Sequence, residues 1–164
     1  EVWSAILHKD EEVSSIHLAT FPECNPAWTN STLDEKWERL INIRSDVARE
    51  LEKMRAAKLI GNSLEASVFL HPESEELRQF LKNYETDLPM IFIVSEAKLF
   101  PANSGQVAGN DIPAAAVKGE TVQNLRIECK VSQHKKCERC WNFRESVGTN
   151  PSHPTICSRC VAAL

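Results

Sequence analysis

Apolar residues recur at three- and four-residue intervals between Leu33 and Leu59, where Leu33, Trp37, Leu40, Val47, Leu51 and Met54 define one face. That spacing predicts a helix of about seven turns, long enough that a helical bundle is its natural setting. Arg44 interrupts the stripe. Thr32 and Glu35 match a capping box, and Gly61 is the expected stop signal. Lys36, Arg39, Arg49, Lys53 and Lys58 are mixed with acids on the polar side. Two readings of those cations stand: a salt-bridged solvent face, or a strip facing phosphates.

Upstream, Val2, Trp3, Ile6 and Leu7 form a short stripe that reads as the end of another helix. Residues 14–21 read as extended and Pro22 to Asn30 as a loop. These pieces have no partner among themselves and the chain starts without Met, so a fragment of a larger body is expected.

After Gly61 the period changes. Leu64 to Leu70 reads as a strand, Pro72 suits the first turn of a helix, and Glu73, Glu75 and Glu76 favour the positive end of its dipole. Leu77, Phe80, Leu81 and Tyr84 give that helix its buried side. The apolar run at residues 88–94 is predicted as a second strand, and Leu99, Phe100, Ile127 and Val131 from later strands close a small α/β unit. Pro and Gly punctuate residues 101–120, which read as loop or hairpin turn. The expected class is α+β: a helical part over 1–60, a small α/β unit over 61–131, and a tail over 132–164.

The composition, 42% hydrophobic and 26% charged over 164 residues, excludes wholesale disorder. No apolar run reaches the length of a membrane span, and the first residues carry no signal-peptide pattern. The net charge of -4 hides an asymmetry. Residues 61–120 hold 9 acids and 4 bases, whereas residues 121–164 hold 3 acids and 7 bases. An acidic middle with a basic tail points to an anionic partner at the C-terminal end.

Cysteine placement sharpens that tail. Cys24 and Cys129 stand alone, but Cys137-Glu138-Arg139-Cys140 and Cys157-Ser158-Arg159-Cys160 are two knuckles with 16 residues between them. Each two-residue gap lets one tight turn aim two sulfurs at one ion, and four thiolates suit a tetrahedral zinc ion. The link is long enough for a two-stranded return, so residues 132–164 are expected to form a zinc ribbon. Such a site has no open coordination position, which makes the metal structural. Redox-active pairs and an iron–sulfur centre are the alternatives for the same residues. His134 and His153 would be ligands only if a cysteine were displaced, and His153-Pro154 is expected to shape the ribbon turn.

Lys135, Lys136, Arg139, Arg144 and Arg159 surround the knuckles, and Trp141 follows the second ligand directly. Cations beside one exposed aromatic suit phosphates and an unstacked base; a hydrophobic plug under the metal is the other reading of Trp141. No Walker loop, dinucleotide-binding glycine pattern or zinc-protease motif occurs, so nothing points to catalysis in this chain.

The string Lys136-Cys137-Glu138-Arg139-Cys140-Trp141, then Val147-Gly148, His153-Pro154 and Ile156-Cys157-Ser158-Arg159-Cys160-Val161, resembles the C-terminal zinc-binding domain of bacterial and organellar isoleucyl-tRNA synthetases. The similarity extends to Trp37-Glu38-Arg39-Leu40, to residues 58–66 and to Ile91-Phe92-Ile93-Val94-Ser95. It implies the last part of an anticodon-binding bundle, a connection unit and a zinc ribbon holding one structural zinc on Cys137, Cys140, Cys157 and Cys160. The parent ligase would use ATP to join isoleucine to its tRNA, with its ATP and editing sites outside this chain. The resemblance implies contact with the anticodon arm through Lys135, Lys136, Arg139, Trp141, Arg144 and Arg159. It also implies packing against the rest of the synthetase, no membrane, and a monomer. The divergent middle favours the mitochondrial matrix over a bacterial cytoplasm or another organelle. A zinc-stapled tail that only stabilises its parent is the rival expectation, and so is a DNA-binding ribbon like that of DNA-repair glycosylases.

Overall fold

A computed structural model describes residues 15–102 and 113–164. The expected helical end at residues 1–7 lies outside them, as does most of the glycine-rich turn after Pro101. Two compact units are present, Glu1–Glu35 and Lys36–Leu164. In the first, the segment expected to be extended instead forms a 3-10 turn at Ile16–Leu18, and a second turn at Pro26–Trp28 is capped by the Asn25 side chain. Pro26 sets the backbone angle for that turn, and Asn25 accepts from the Ala27 N–H at 3.0 Å.

Helix α1 runs over Ser31–Ala56. Its cap is Asn30, whose Oδ1 accepts from the Leu33 N–H at 3.0 Å, and not the expected capping box, because Thr32 already lies inside the helix. Leu40, Ile43, Val47, Leu51 and Met54 are buried, whereas Leu33 and Trp37 are 47% and 48% exposed. Arg44 lies off the buried stripe; the polar residue within it is Asp46. The helix stops before Gly61. Lys58 takes the left-handed conformation (φ 57°), its N–H donates to Arg55 O at 2.9 Å, and the Leu59 N–H donates to Met54 O at 3.0 Å. Those two bonds are a Schellman closure with lysine where glycine is usual.

A 3-10 turn at Ser63–Glu65 leads into β1 (Ala66–Pro72). Pro72 therefore ends the strand and does not start the next helix. Ser74 takes the capping role, accepting from the Leu77 N–H at 3.2 Å, and α2 covers Glu75–Lys82. Leu77 and Leu81 are fully buried, with Phe80 and Tyr84 packed beside them.

The run predicted as a second strand is helical. Helix α3 covers Leu88–Phe92, with Pro89 in its first turn. Proline fixes the backbone angle that a helix start needs and removes a donor that a central strand would use, so its placement outweighs the apolar pattern. The strand that follows is β2 (Glu96–Leu99). Val117–Lys118 forms β3 within the segment expected to be loop or turn, and β4 covers Leu125–Val131. The sheet order is β2-β1-β4-β3, with β1 and β2 parallel and the other pairs antiparallel. Register is set by pairs such as Ser67 with Glu96 and Val68 with Cys129. The two-helix crossover needed by a parallel pair is α2 plus α3.

One core joins Ile43, Val47 and Leu51 of α1 to Val68, Leu70, Leu77, Leu88 and Ile127. Cys129 packs against it, and burial pushes its thiol up to about 12, so it is an inert packing group. None of the described helices is long and apolar enough to cross a membrane.

Candidate metal centre and its basic surround

Beyond β4 the chain forms a small metal-binding module. Strands β5 (Lys135–Lys136) and β6 (Phe143–Arg144) pair antiparallel and flank the first knuckle. The second knuckle opens a single helical turn, α4 (Ser158–Val161). The paired strands thus bracket one knuckle and do not fill the link between the two, because the link is spent on turns around Gly148 and Pro154.

Local bonding explains the knuckle. Cys137 N–H donates to Asn142 O at 2.9 Å and Trp141 N–H donates to Cys137 O at 2.8 Å. The Asn142 side-chain amide donates to Cys140 O at 3.0 Å. The chain can turn this tightly because Trp141 takes φ 64°, a costly conformation for a bulky residue.

The Sγ atoms of Cys137, Cys140, Cys157 and Cys160 all lie within 4.8 Å of one another. Cys137 and Cys160 are 3.8 Å apart, Cys140 and Cys157 3.7 Å. A tetrahedron with sulfur about 2.3 Å from zinc has edges of about 3.8 Å, so the donor set fits that ion. All four are free thiols, far beyond disulfide distance. Burial pushes Cys137 up, but backbone donors from Cys140, Cys157 and Arg139 outweigh it and bring the thiol down to about 6. The Cys157 N–H reaches Cys137 Sγ at 3.3 Å. Burial also pushes Cys140 up, and its net direction is down through the Asn142 backbone donor. Thiolates held this way are ready ligands. Val147 and Ile156 pack against the cluster. His134 instead faces Glu96 at 4.0 Å, and His153 is exposed in its turn. The cluster is consistent with a structural zinc site.

The surrounding residues divide by what they touch. Trp141 is 63% exposed and so is not the plug, with Lys136 Nζ 5.3 Å from its ring centre. Arg139 sends Nη1 to Cys160 O at 2.7 Å and to Ala163 O at 3.3 Å, tying down the C-terminal turn. Arg144 and Arg159 line one cleft with His134, Ser146 and Thr149, and Arg144 Nε is buried without a partner among the described residues. Lys135 is exposed on β5. On α1, by contrast, Arg39 pairs with Glu76, Arg49 with Asp46 and Glu120, and Lys53 with Glu50. Those three belong to a salt-bridged face.

Residues 135–163 match the family described as a zinc finger found in FPG and IleRS. Along its whole length the chain is 43% identical to the isoleucine--tRNA ligase of Geobacter sulfurreducens, covering 16% of that relative. It is 35% identical to the enzyme of Moorella thermoacetica and 38% identical to that of Desulforudis audaxviator, covering 17% of each. Along its whole length the chain is thus similar to bacterial isoleucine--tRNA ligases. It matches the C-terminal ~17% of bacterial isoleucine--tRNA ligase and spans only that share of its relatives.

Two features of this segment are not legible in its sequence pattern. Ser95 bonds to both the zinc module and the α/β unit, a role that no local pattern assigns to it. Ile93, left-handed at φ 57°, looked like an ordinary strand residue. Pro89 is the available signal for the helix that Ile93 closes, since proline favours a helix's first turn.

Proposed function

We propose that this chain is the tRNA-engaging, non-catalytic end of an isoleucyl-tRNA synthetase whose complete form ligates isoleucine to its tRNA with ATP. Its three parts are a helical end over 1–60, a connection unit over 61–131 and a zinc module over 132–164. One structural zinc on Cys137, Cys140, Cys157 and Cys160 holds the last part in shape, and the rest of the synthetase is its neighbour. The parent works in a bacterial cytoplasm, a reading supported by the bacterial origin of the relatives, which lends nothing to the expected mitochondrial matrix.

The observation that carries the reading is where the free cations sit. Among the described residues, Lys135, Lys136, Arg139, Arg144 and Arg159 have no carboxylate within 4.0 Å, whereas most cations of α1 and the α/β unit do. Unpaired cations crowded on one small module, beside an exposed tryptophan, suit the backbone and an unstacked base of an anticodon arm. Lys135, Lys136, Trp141, Arg144 and Arg159 carry the contact. Arg139, bound to two carbonyls, holds the module's last turn and adds charge.

The test is binding of the zinc-loaded chain across a salt series to an isoleucine-tRNA anticodon arm, a mismatched arm and a DNA duplex of equal length. Preference for the cognate arm supports the reading. Equal binding to the duplex favours the DNA-binding ribbon, and no binding favours a tail that only stabilises its parent. Arg159→Gln should lower the salt slope by about 1, as one phosphate contact is lost.

A further inference from the structure

Helix α3 carries an exposed apolar surface that the packing of the fold does not explain. Met90 is 74% exposed and Ile93 52% exposed. Ile93 is β-branched yet held at φ 57°, because it closes α3 as a Schellman residue: its N–H donates to Met90 O at 3.2 Å and the Val94 N–H to Pro89 O at 2.9 Å. A glycine would take this position without strain and without a side chain. The isoleucine therefore presents apolar surface at a conformational cost, a pattern that clusters at ligand clamps.

Two adjoining cavities share Met90 and Ile93. One, of about 240 Å³, adds Trp37, Ile41 and Arg44. The other, of about 330 Å³, adds Pro89, Asn142, Arg144 and Arg159. The groove is apolar along its middle and basic at both ends, since Arg44, Arg144 and Arg159 all lack a carboxylate within 4.0 Å among the described residues. It runs into the basic surround of the metal centre, where the buried Nε of Arg144 lacks a partner among the described residues.

We propose that this groove binds unpaired ribonucleotides: bases lie against Met90, Ile93 and Trp37, and the flanking phosphates meet Arg144 and Arg159 at one end and Arg44 at the other. The proposal rests on the RNA reading above and adds a site on α3 and α1 to it. An apolar floor with cations only at its ends fits a flat base between two phosphates. It fits an RNA duplex poorly, because there the bases are hidden. Asn142 lines the same wall; its amide nitrogen is held by Cys140 O, which leaves its Oδ1 to accept from a base edge.

The test measures binding of the zinc-loaded chain to a single-stranded heptaribonucleotide and to an RNA hairpin stem of equal charge, in a salt series. Met90→Ala and Ile93→Gly together should weaken heptamer binding about three- to tenfold with the salt slope unchanged, since bases and not phosphates lose contact. Ile93→Gly alone should not lower the melting temperature, which separates lost binding from lost fold. Arg144→Gln should lower the slope instead. If the double variant binds as the parent does, the groove is not the site, although the RNA reading stands. If the unaltered chain binds neither RNA, the RNA reading itself fails. In the complete synthetase, peroxide should oxidise Met90 readily and tRNA should slow it. Slow oxidation without tRNA would mean that the rest of the protein covers the groove, and would overturn the proposal.

Discussion

The hydroxyl of Ser95 accepts the Phe143 N–H at 2.6 Å and donates to Leu64 O at 2.6 Å. One buried side chain thereby joins β6 of the zinc module to the turn that enters β1, across 48 residues of sequence on one side and 31 on the other. The Ser132 N–H, donating to Glu65 O at 2.7 Å, makes a second link close by. The position of the metal centre relative to the sheet therefore depends on two short polar contacts more than on shared apolar packing. Ser95→Ala leaves a partly buried donor and a partly buried acceptor without this partner, and should cost about 1–3 kcal/mol. Amide exchange should rise at Phe143 first, ahead of the core strands; unchanged protection there would show that the module is held some other way.

Zinc removal should act on the module alone. Its own cluster contains four cysteines with only Val147 and Ile156 packed against them, whereas the larger core has no cysteine thiol among the cluster ligands. Without the ion, the thiols are a poor core, since metal binding supplies much of the folding energy of such small units. A chelator, or Cys140→Ser, should expose the amides of residues 132–164 while α1 keeps its protection. Loss of protection in Leu51 and Leu70 at the same chelator concentration would mean that the two parts fold as one.

Asp46 offers a pH test. It is buried on α1 and accepts the Val122 N–H at 2.8 Å, the Thr121 N–H at 3.0 Å and Arg49 Nη1 at 2.8 Å. Burial pushes its carboxyl up, but the two amides and Arg49 outweigh that, so the net direction is down from 3.8. A depressed folded value means that the stabilisation is complete above pH 3.8 and is lost as the pH falls through the folded value. Asp46→Asn should cost about 1–3 kcal/mol at neutral pH and flatten the acid limb of the stability curve. The parallel change Gly119→Ala puts a methyl 2.6 Å from both Asp46 Oδ2 and Val122 O, so it should weaken the same strap. An acid limb unchanged in the asparagine variant would remove Asp46 from the account.

Much of this architecture was legible because period and punctuation agreed. In α1 the buried stripe follows the 3.6-residue spacing, and the two knuckles announce the metal centre through spacing alone. The misreadings share a cause: a local signal was weighed without its competitor. At residues 88–94 the apolar run reads as a strand until Pro89 is given its preference for a helix's first turn. At Pro72 the reverse happened, since Ser74 two residues later is the stronger start signal. Arg139 shows a limit of charge counting, because a guanidinium in a basic cluster can be spent on carbonyls that only the fold brings near. Nothing in the sequence separates Arg139 from Arg144 or Arg159.

Backbone strain provides the last prediction. Lys58, Ile93 and Trp141 all hold positive φ, at 57°, 57° and 64°. Lys58 is exposed and only closes α1, so Lys58→Gly relieves strain worth about 1–2 kcal/mol and gives back part of it as unfolded-chain entropy, about 0.4–1 kcal/mol. A small net gain in melting temperature is expected, with tRNA affinity unchanged. Trp141→Gly relieves the same kind of strain but removes an exposed indole beside Lys136. Stability should again hold or rise, while affinity for the anticodon arm falls by about 1–3 kcal/mol if a base stacks there. The pair separates strain kept for closure from strain kept for contact. Equal affinity in the two variants would assign Trp141 to closure as well.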